Sequence, residues 1–293
     1  MLSEIISKKF FNNGLILNPE NNYEKNIFNI KIEKIRNLIR KHGVILFRNF
    51  AINNKNLSIF TDLFTKEYSR DAIRRAERFN NSKVRNVDVG FQKVDLHSEA
   101  SFTTAWPEII TFYCKKPPIY SGYSLLCDGI KLWDSLSANC KEFFLSNPVI
   151  FKVKIPIEKN RNFKGIKKWP MNYIGYYDGI LNWDKGFISY NLKKFCVHES
   201  KVENKLSFSN HLFVTLKSEP QLKKRFFDYP KKDLEKFIKE IKIKSSLMTH
   251  KLLLKKNDLL LIDNRRFMHG RTKIIKKDKD RDIVILQSLR TNI

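Results

Sequence analysis

A chain of 293 residues with 42% hydrophobic and 13% aromatic content can bury a substantial core, which excludes wholesale disorder and leaves one large domain or two small ones. The formal net charge of +26 would suit nucleic acid, an anionic membrane surface or an acidic partner. No run of five or six basic residues and no nucleic-acid motif accompanies it, so it reads chiefly as lysines spread over solvated faces. Four cysteines without a C-x-x-C spacing, no signal-peptide pattern and no apolar run of about 18 residues point to reduced core thiols in a soluble, cytoplasmic protein with no membrane partner.

In chain order, Gly14 to Leu17, ended by Pro19, reads as an opening strand. From Ile30 to Lys41 the residues Ile30, Ile32, Ile35, Leu38 and Ile39 recur near the helical period, and Gly43 is placed to end that helix. Val44 to Arg48 reads as a buried strand and 56–67 as a second amphipathic helix. Residues 69–90 break the pattern with Arg70, Arg74, Arg75, Arg78 and Arg85, either a lid beside a site or a solvated basic loop. Val94 to Phe102 alternates as a strand, Ile109 to Tyr113 is another, Pro117-Pro118 turns the chain, Gly122 to Leu126 extends again, and Trp133 to Phe144 looks helical. Between 149 and 216 short apolar segments suggest strands and loops. Pro230 precedes a helix over 231–241, Leu252–Leu254 and Asp258–Asp263 read as a strand pair around Lys255-Lys256-Asn257, and Ile283 to Leu286 is a last strand. Without repeats or linkers, 1–293 reads as one domain with a lid or insert region at 150–250. The expected fold is mainly β with peripheral helices, a barrel or double-sheet jelly roll that holds a ligand inside.

In a strand, residues i and i+2 share a face, so His97 and Glu99 would present an imidazole and a carboxylate side by side. That is two-thirds of the two-His, one-carboxylate face that leaves open positions on a non-haem Fe(II). Alone it decides nothing, because six histidines and 30 acidic residues in 293 positions give about 0.6 such triplets by chance. A second stretch, Asp263 to Thr272, follows an apolar strand and places His269 beside Gly270, which permits close backbone approach. His42, His198, His211 and His250 have no comparable setting.

The pair His97-Ser98-Glu99 and Asp263-Asn264-Arg265-Arg266-Phe267-Met268-His269-Gly270-Arg271 resembles the TauD/TfdA family of Fe(II)- and 2-oxoglutarate-dependent oxygenases, with Glu in the carboxylate position as in its clavaminate synthase-like branch. Gly43 to Phe50 resembles the family's early strand and Pro118 to Ser124 its Gly-Gly-x-Thr turn, so the likeness spans 41–289, with 150–250 carrying little of it. The resemblance implies a double-stranded β-helix with the metal at one open end, His97, Glu99 and His269 as Fe(II) ligands, and Arg281 and the Ser124 hydroxyl on the distal carboxylate of 2-oxoglutarate. A planar guanidinium meets a carboxylate bidentately, which lysine does less well.

Departures from the family pattern are Ser121 and Tyr123 in the turn, and Ile285 where relatives carry a second arginine for substrate, which argues against a taurine-like sulfonate at that spot. Arg271 and Arg290 are alternative anion contacts, although each reads more readily as a structural or surface ion pair. With Glu99 present the resemblance implies hydroxylation rather than halogenation, desaturation and cyclisation being related outcomes. Regular alternation back from His97 would put Asp95, Lys93 and Phe91 on the metal face, where Lys93 and Asp95 would hold a zwitterionic or anionic substrate, with Phe102 or Trp106 walling the pocket. The implied partners are 2-oxoglutarate, O2 and a small polar or amino-acid-like substrate, free or tethered to an acidic carrier protein. A non-catalytic metal-binding jelly roll and a basic nucleic-acid-binding protein remain the competing readings.

Overall fold

A computed structural model describes residues 5–11, 13–20, 25–69, 75–87, 90–103, 105–156, 182–184, 187–218 and 231–293. In chain order it contains β1 (Ile5–Lys9), β2 (Leu15–Pro19), α1 (Ile32–His42), β3 (Val44–Phe47), α2 (Asn56–Asp62), β4 (Thr65–Tyr68), β5 (Glu77–Arg78), β6 (Asn81–Asn86), β7 (Val94–His97), β8 (Ile109–Lys116) and β9 (Ser124–Asp128). There follow α3 (Gly129–Ser135), α4 (Ala138–Ser146), β10 (Val149–Pro156), β11 (Asn182–Asp184), β12 (Phe187–Lys194), β13 (His198–Glu199), β14 (Leu206–Ser207), α5 (Leu212–Ser218), α6 (Lys231–Met248), β15 (His250–Leu252), β16 (Leu259–Asp263), β17 (Phe267–Arg271) and β18 (Asp282–Thr291).

Two sheets dominate. The larger runs β1-β2-β3-β16-β8-β18-β6-β5 with β4 also on β18, and the smaller runs β15-β9-β17-β7. Their layering follows from period-2 alternation in continuous apolar runs. Along β16, Leu259 and Leu261 join Ile45 and Phe47 of β3 under α1 and α2, whereas Leu260 and Ile262 turn with Val44 and Leu46 toward the smaller sheet. In that sheet Leu126 and Phe267 face inward, while Leu125, Cys127, Leu96 and Met268 face a second helical layer that includes Leu132, Phe144, Leu212 and Ile241. The result is helix, sheet, sheet, helix, the double-sheet jelly-roll arrangement that the sequence led us to expect. All four cysteines are buried and free. No helix among the described residues is long and apolar enough to cross a membrane.

Several elements differ from their sequence-based expectation. The second helix stops at Asp62, because Thr65–Tyr68 is taken up as a strand against the end of β18. The expected helix over Trp133 to Phe144 is two helices: Ser137 restarts it as an N-cap that accepts from the Cys140 amide, and Glu240 of α6 holds the Ser137 amide and hydroxyl. Within 69–90 the chain forms the short pairing of β5 with β6, while Arg70 and Arg74 lie outside the described residues. The segments around Lys255-Lys256-Asn257 are not a hairpin, since β15 pairs with β9 in one sheet and β16 with β3 and β8 in the other. Asn257, at φ 65°, helps turn the chain between the sheets, and Arg48 anchors the crossing through Asp258, with Nη2 to Oδ2 at 2.6 Å. Of the lid or insert at 150–250, residues 157–181, 185–186 and 219–230 lie outside the described ones, and Val149, Phe151 and Leu192 pack into the outer helical cluster.

Candidate metal centre

The alternation that buries Leu96 and Met268 outward turns His97 and His269 inward, and antiparallel pairing of β7 with β17 sets these two histidines directly opposite each other. Their ring centroids are 4.4 Å apart. Phe112 of the larger sheet meets His269 edge-on at 5.4 Å, so the site lies between the sheets.

Glu99 reaches the same point by a different route from a regular strand. β7 ends at His97, and the chain then turns through Ala100 at φ 53°. Asn264 replaces the lost ladder: its Oδ1 accepts from the Glu99 amide at 2.8 Å, and its Nδ2 donates to the Glu99 and Pro107 carbonyls at 3.0 and 2.9 Å. Ser98 adds a bond from its hydroxyl to the Asn264 carbonyl at 2.6 Å and accepts from Trp106 Nε1 at 2.7 Å. Fully buried Asn264 thus splints the turn that carries the carboxylate. Neighbouring residues of that segment serve the same corner. Asp263 caps the turn by accepting from the Arg265 and Arg266 amides, and Arg266 makes a buried pair with Asp128 at 2.8 Å.

One ligand atom from each of His97, Glu99 and His269 lies within 4.8 Å of the others, and Glu99 Oε2 is 3.7 Å from Nε2 of both histidines. His97 Nδ1 donates to the Asp95 carbonyl at 2.9 Å, which orients the ring so that Nε2 faces the carboxylate. Burial pushes His269 down to about 4 and so keeps it neutral. Burial alone would raise the Glu99 carboxyl, but Arg75 beside it and both imidazoles outweigh that and hold it well below the usual carboxylate range. Two imidazoles and one ionised carboxylate converging on one point are the donor set of a divalent metal, and they fit Fe(II).

The cavity over these residues is also lined by Ser124, Arg271, Arg281 and Ile285, with Leu126, Leu260 and Ile262 as apolar wall. The Arg281 guanidinium makes no hydrogen bond or ion pair with any described residue; burial, and then Arg271 beside it, push its pKa down to about 10. The Ser124 hydroxyl is likewise unengaged among the described residues. Arg271, by contrast, donates to the Gly90 and Gln92 carbonyls at 2.8 and 2.7 Å.

The model of the family described as taurine catabolism dioxygenase TauD, TfdA family matches residues 20–287. The chain belongs to the TauD/TfdA family. It is therefore an Fe(II)- and 2-oxoglutarate-dependent dioxygenase, and His97, Glu99 and His269 form a group of side chains between its sheets that could hold a metal ion. Among solved structures, a taurine dioxygenase from Burkholderia xenovorans shares 13% identity at TM-score 0.65, covering 97% of this chain and 88% of its own. AAD-2 in complex with Mn(II) and N-oxalylglycine shares 12% at 0.62, covering 97% and 96%. PvcB, an Fe, alpha-ketoglutarate dependent oxygenase from an isonitrile synthetic pathway, shares 12% at 0.59, covering 98% and 92%. These likenesses carry the fold. No curated protein sequence matches the chain significantly.

Against the TauD/TfdA expectation, the structure brings His97, Glu99, His269, Ser124 and Arg281 to one cavity but places the four substrate candidates outside its lining. Between the pairs His269–His97 and Arg271–Val94, one residue of β17 (Gly270) faces two of β7 (Asp95 and Leu96), so a bulge interrupts the alternation and Val94 lines the cavity in place of Asp95. Lys93 and Asp95 pair with each other at 2.8 Å, the lysine side chain 57% exposed, and Phe91 is exposed as well. Phe102 packs its ring on His211, 4.6 Å between centroids, and so stands behind His97. Trp106 is held between Lys194 and Arg265. Arg290, its side chain 76% exposed, lies 3.5 Å from Glu67 at the surface.

Three residues of the site had no separate signal. His211 lies edge-on to His97 at 5.1 Å, and Arg75 pairs with Glu99 at 3.1 Å. The splint by Asn264 belongs to a side chain that sequence shows only as a member of a motif.

Proposed function

We propose that the protein hydroxylates an unactivated C–H bond of a small polar, amino-acid-like substrate, with Fe(II) on His97, Glu99 and His269 and 2-oxoglutarate on Arg281 and Ser124. The observation that carries this is the Arg281 guanidinium, which has no acceptor among the described residues, in the wall of the cavity that holds His97, Glu99 and His269. A buried cation without an acceptor costs free energy, and a dicarboxylate whose far end reaches it removes that cost. When bound, the iron supplies the oxidation: 2-oxoglutarate and O2 become succinate and CO2, and one oxygen atom enters the substrate.

The chain's own part is geometric. The Asp95 carbonyl fixes the His97 tautomer, Asn264 fixes the Glu99 turn, and Leu126, Leu260, Ile262 and Ile285 exclude water. Glu99 fills the position a halide would need, which favours hydroxylation over halogenation. Ile285 offers no charge to a sulfonate, and Arg271 is engaged by backbone carbonyls, so a taurine-like headgroup has no ready seat there. In this proposal the whole chain is one catalytic domain, and the net charge of +26 supports an acidic carrier as a tether for the substrate.

The test is an anaerobic titration with Fe(II) and then 2-oxoglutarate, read by the weak visible charge-transfer band of the chelate. A band in the wild type that disappears in His97→Ala and His269→Ala is expected. No band in the wild type, or an undiminished one in both variants, rejects the proposal. O2-dependent succinate formation and a product heavier by one oxygen then separate an oxygenase from an inert binder.

A further inference from the structure

Arg75 lines the cavity, yet neither the ligand set nor the 2-oxoglutarate seat uses it. Its Nη2 lies 3.1 Å from Glu99 Oε1 and 3.3 Å from Oε2, with both side chains largely buried. The two carboxylate oxygens have different surroundings: Oε2 is the one 3.7 Å from both histidine nitrogens, and Oε1 is the nearer to the guanidinium. Carboxylates bind cations through one oxygen or through both, and what decides between these is often whether the second oxygen already has a partner.

The arm that brings Arg75 there is itself fastened. The Arg75 carbonyl accepts from Arg85 Nη1 at 3.3 Å, Arg85 is paired with Glu77 at 3.1 Å, and the Ala76 carbonyl accepts from the Asn86 amide at 3.0 Å. β6, which carries Arg85 and Asn86, pairs with β18, whose Ile283 and Ile285 line the same cavity. The guanidinium is therefore held against Glu99 from the sheet that builds the opposite wall.

We propose that Arg75 is a positioning residue that keeps Glu99 a one-oxygen ligand. Its shorter contact, to Oε1, fixes the carboxylate plane and leaves Oε2, the oxygen facing both histidines, as the metal's oxygen, and so reserves the remaining metal positions for 2-oxoglutarate and O2. The role in metal binding needs only the three-residue centre; its consequence for 2-oxoglutarate rests on the oxygenase reading above. Both contacts come from a single nitrogen, so an ammonium at the same place restores them in kind, whereas an uncharged side chain of similar length does not.

The experiment is anaerobic Mn(II) titration of the full chain, followed by the free-Mn(II) EPR signal, in the wild type, Arg75→Lys, Arg75→Met and Arg75→Gln, with His97→Ala as the non-binding control. Near-UV circular dichroism of the metal-free variants selects those that fold, and Arg75→Gln stands in if Arg75→Met does not. Arg75→Met is expected to weaken Mn(II) binding by about tenfold or more, the usual effect of losing a group that orients a ligand, and Arg75→Lys by less than about threefold. In the Fe(II) and 2-oxoglutarate complex the charge-transfer band of Arg75→Met should shift or vanish and that of Arg75→Lys should match the wild type. Wild-type Mn(II) affinity in a folded Arg75→Met, or equal losses in the Lys and Met variants, overturns the proposal. Arg75-dependent Mn(II) binding with no 2-oxoglutarate band in the wild type leaves it standing and overturns the oxygenase reading instead.

Discussion

Among the described residues the Arg281 guanidinium and the Ser124 hydroxyl have no hydrogen-bond partner in the cavity wall, so in the proposed reading both act on 2-oxoglutarate. Charge-assisted hydrogen bonds are worth about 1.5–3 kcal/mol each, and roughly 1.4 kcal/mol is a factor of ten. Arg281→Met is therefore expected to raise the 2-oxoglutarate concentration at half-maximal chelate band by about ten- to a hundredfold, and Arg281→Lys by less, while the metal-only affinity stays near wild type and the melting temperature of the ligand-free protein rises, because the buried cation is gone. Equal 2-oxoglutarate affinity in the wild type and Arg281→Met would remove this residue from the seat. Asp263 shows the opposite balance. Burial pushes its carboxyl up to about 6, while its Oδ1 still accepts from the amides of Arg265 and Arg266. The folded form holds its proton longer than the unfolded chain, which ionises near 3.8. Stability is therefore lost as pH rises from about 4 to about 6, and the cost remains above that. Asp263→Asn keeps the acceptor without the charge. It should stabilise the protein at pH 8 by roughly 1–3 kcal/mol and change little at pH 4, measured by urea unfolding at both values.

At the scale of elements, the β7 bulge explains both what the sequence showed and what it hid. Apolar runs such as Leu259–Ile262 and Val44–Phe47 made the buried strands legible, because each alternates between two apolar layers. The same alternation carried backward from His97 misplaced Asp95 and Lys93, since an extra residue in β7 leaves no trace in composition. Glu99 illustrates the other limit: His97 and Glu99 converge although no strand joins them, and the bonds from Asn264 that make this possible come from a residue 165 positions away. Gly270 is where the bulge is registered. A Cβ there would lie 2.7 Å from the Val94 carbonyl oxygen and 3.2 Å from the Asp95 carbonyl, which are backbone atoms that cannot rotate aside. Gly270→Ala should push β7 away from β17, lowering stability by roughly 1–3 kcal/mol. Because the Asp95 carbonyl holds His97, Mn(II) affinity should fall as well. A variant with wild-type melting temperature and wild-type affinity would show that the bulge has no such role.

For the whole molecule, the two-sheet core and the order of the motifs were readable, whereas the crossing from β15 to β16 between sheets was not, because two apolar runs around a short polar turn look alike whether they pair with each other or with other strands. Charge is the remaining global property, and it acts on a different range from the contacts that fix the fold. The described residues include buried pairs, Arg266 with Asp128 and Arg48 with Asp258, in which salt has little access to the facing charges. The 56 basic residues outnumber the 30 acidic ones, so by count the excess of 26 cannot all be matched by carboxylates, and like charges on a compact body repel one another more than they do on an expanded chain. Raising ionic strength shortens the screening length from about 20 Å near 0.02 M to below about 6 Å near 0.3 M, which removes long-range repulsion and leaves the buried pairs nearly intact. The melting temperature should therefore rise by several degrees over that range with sodium chloride, a salt with weak effects on apolar burial, and level off beyond it. A flat or falling profile would mean that surface pairs lost to screening outweigh the repulsion, so that the +26 is locally compensated despite its size.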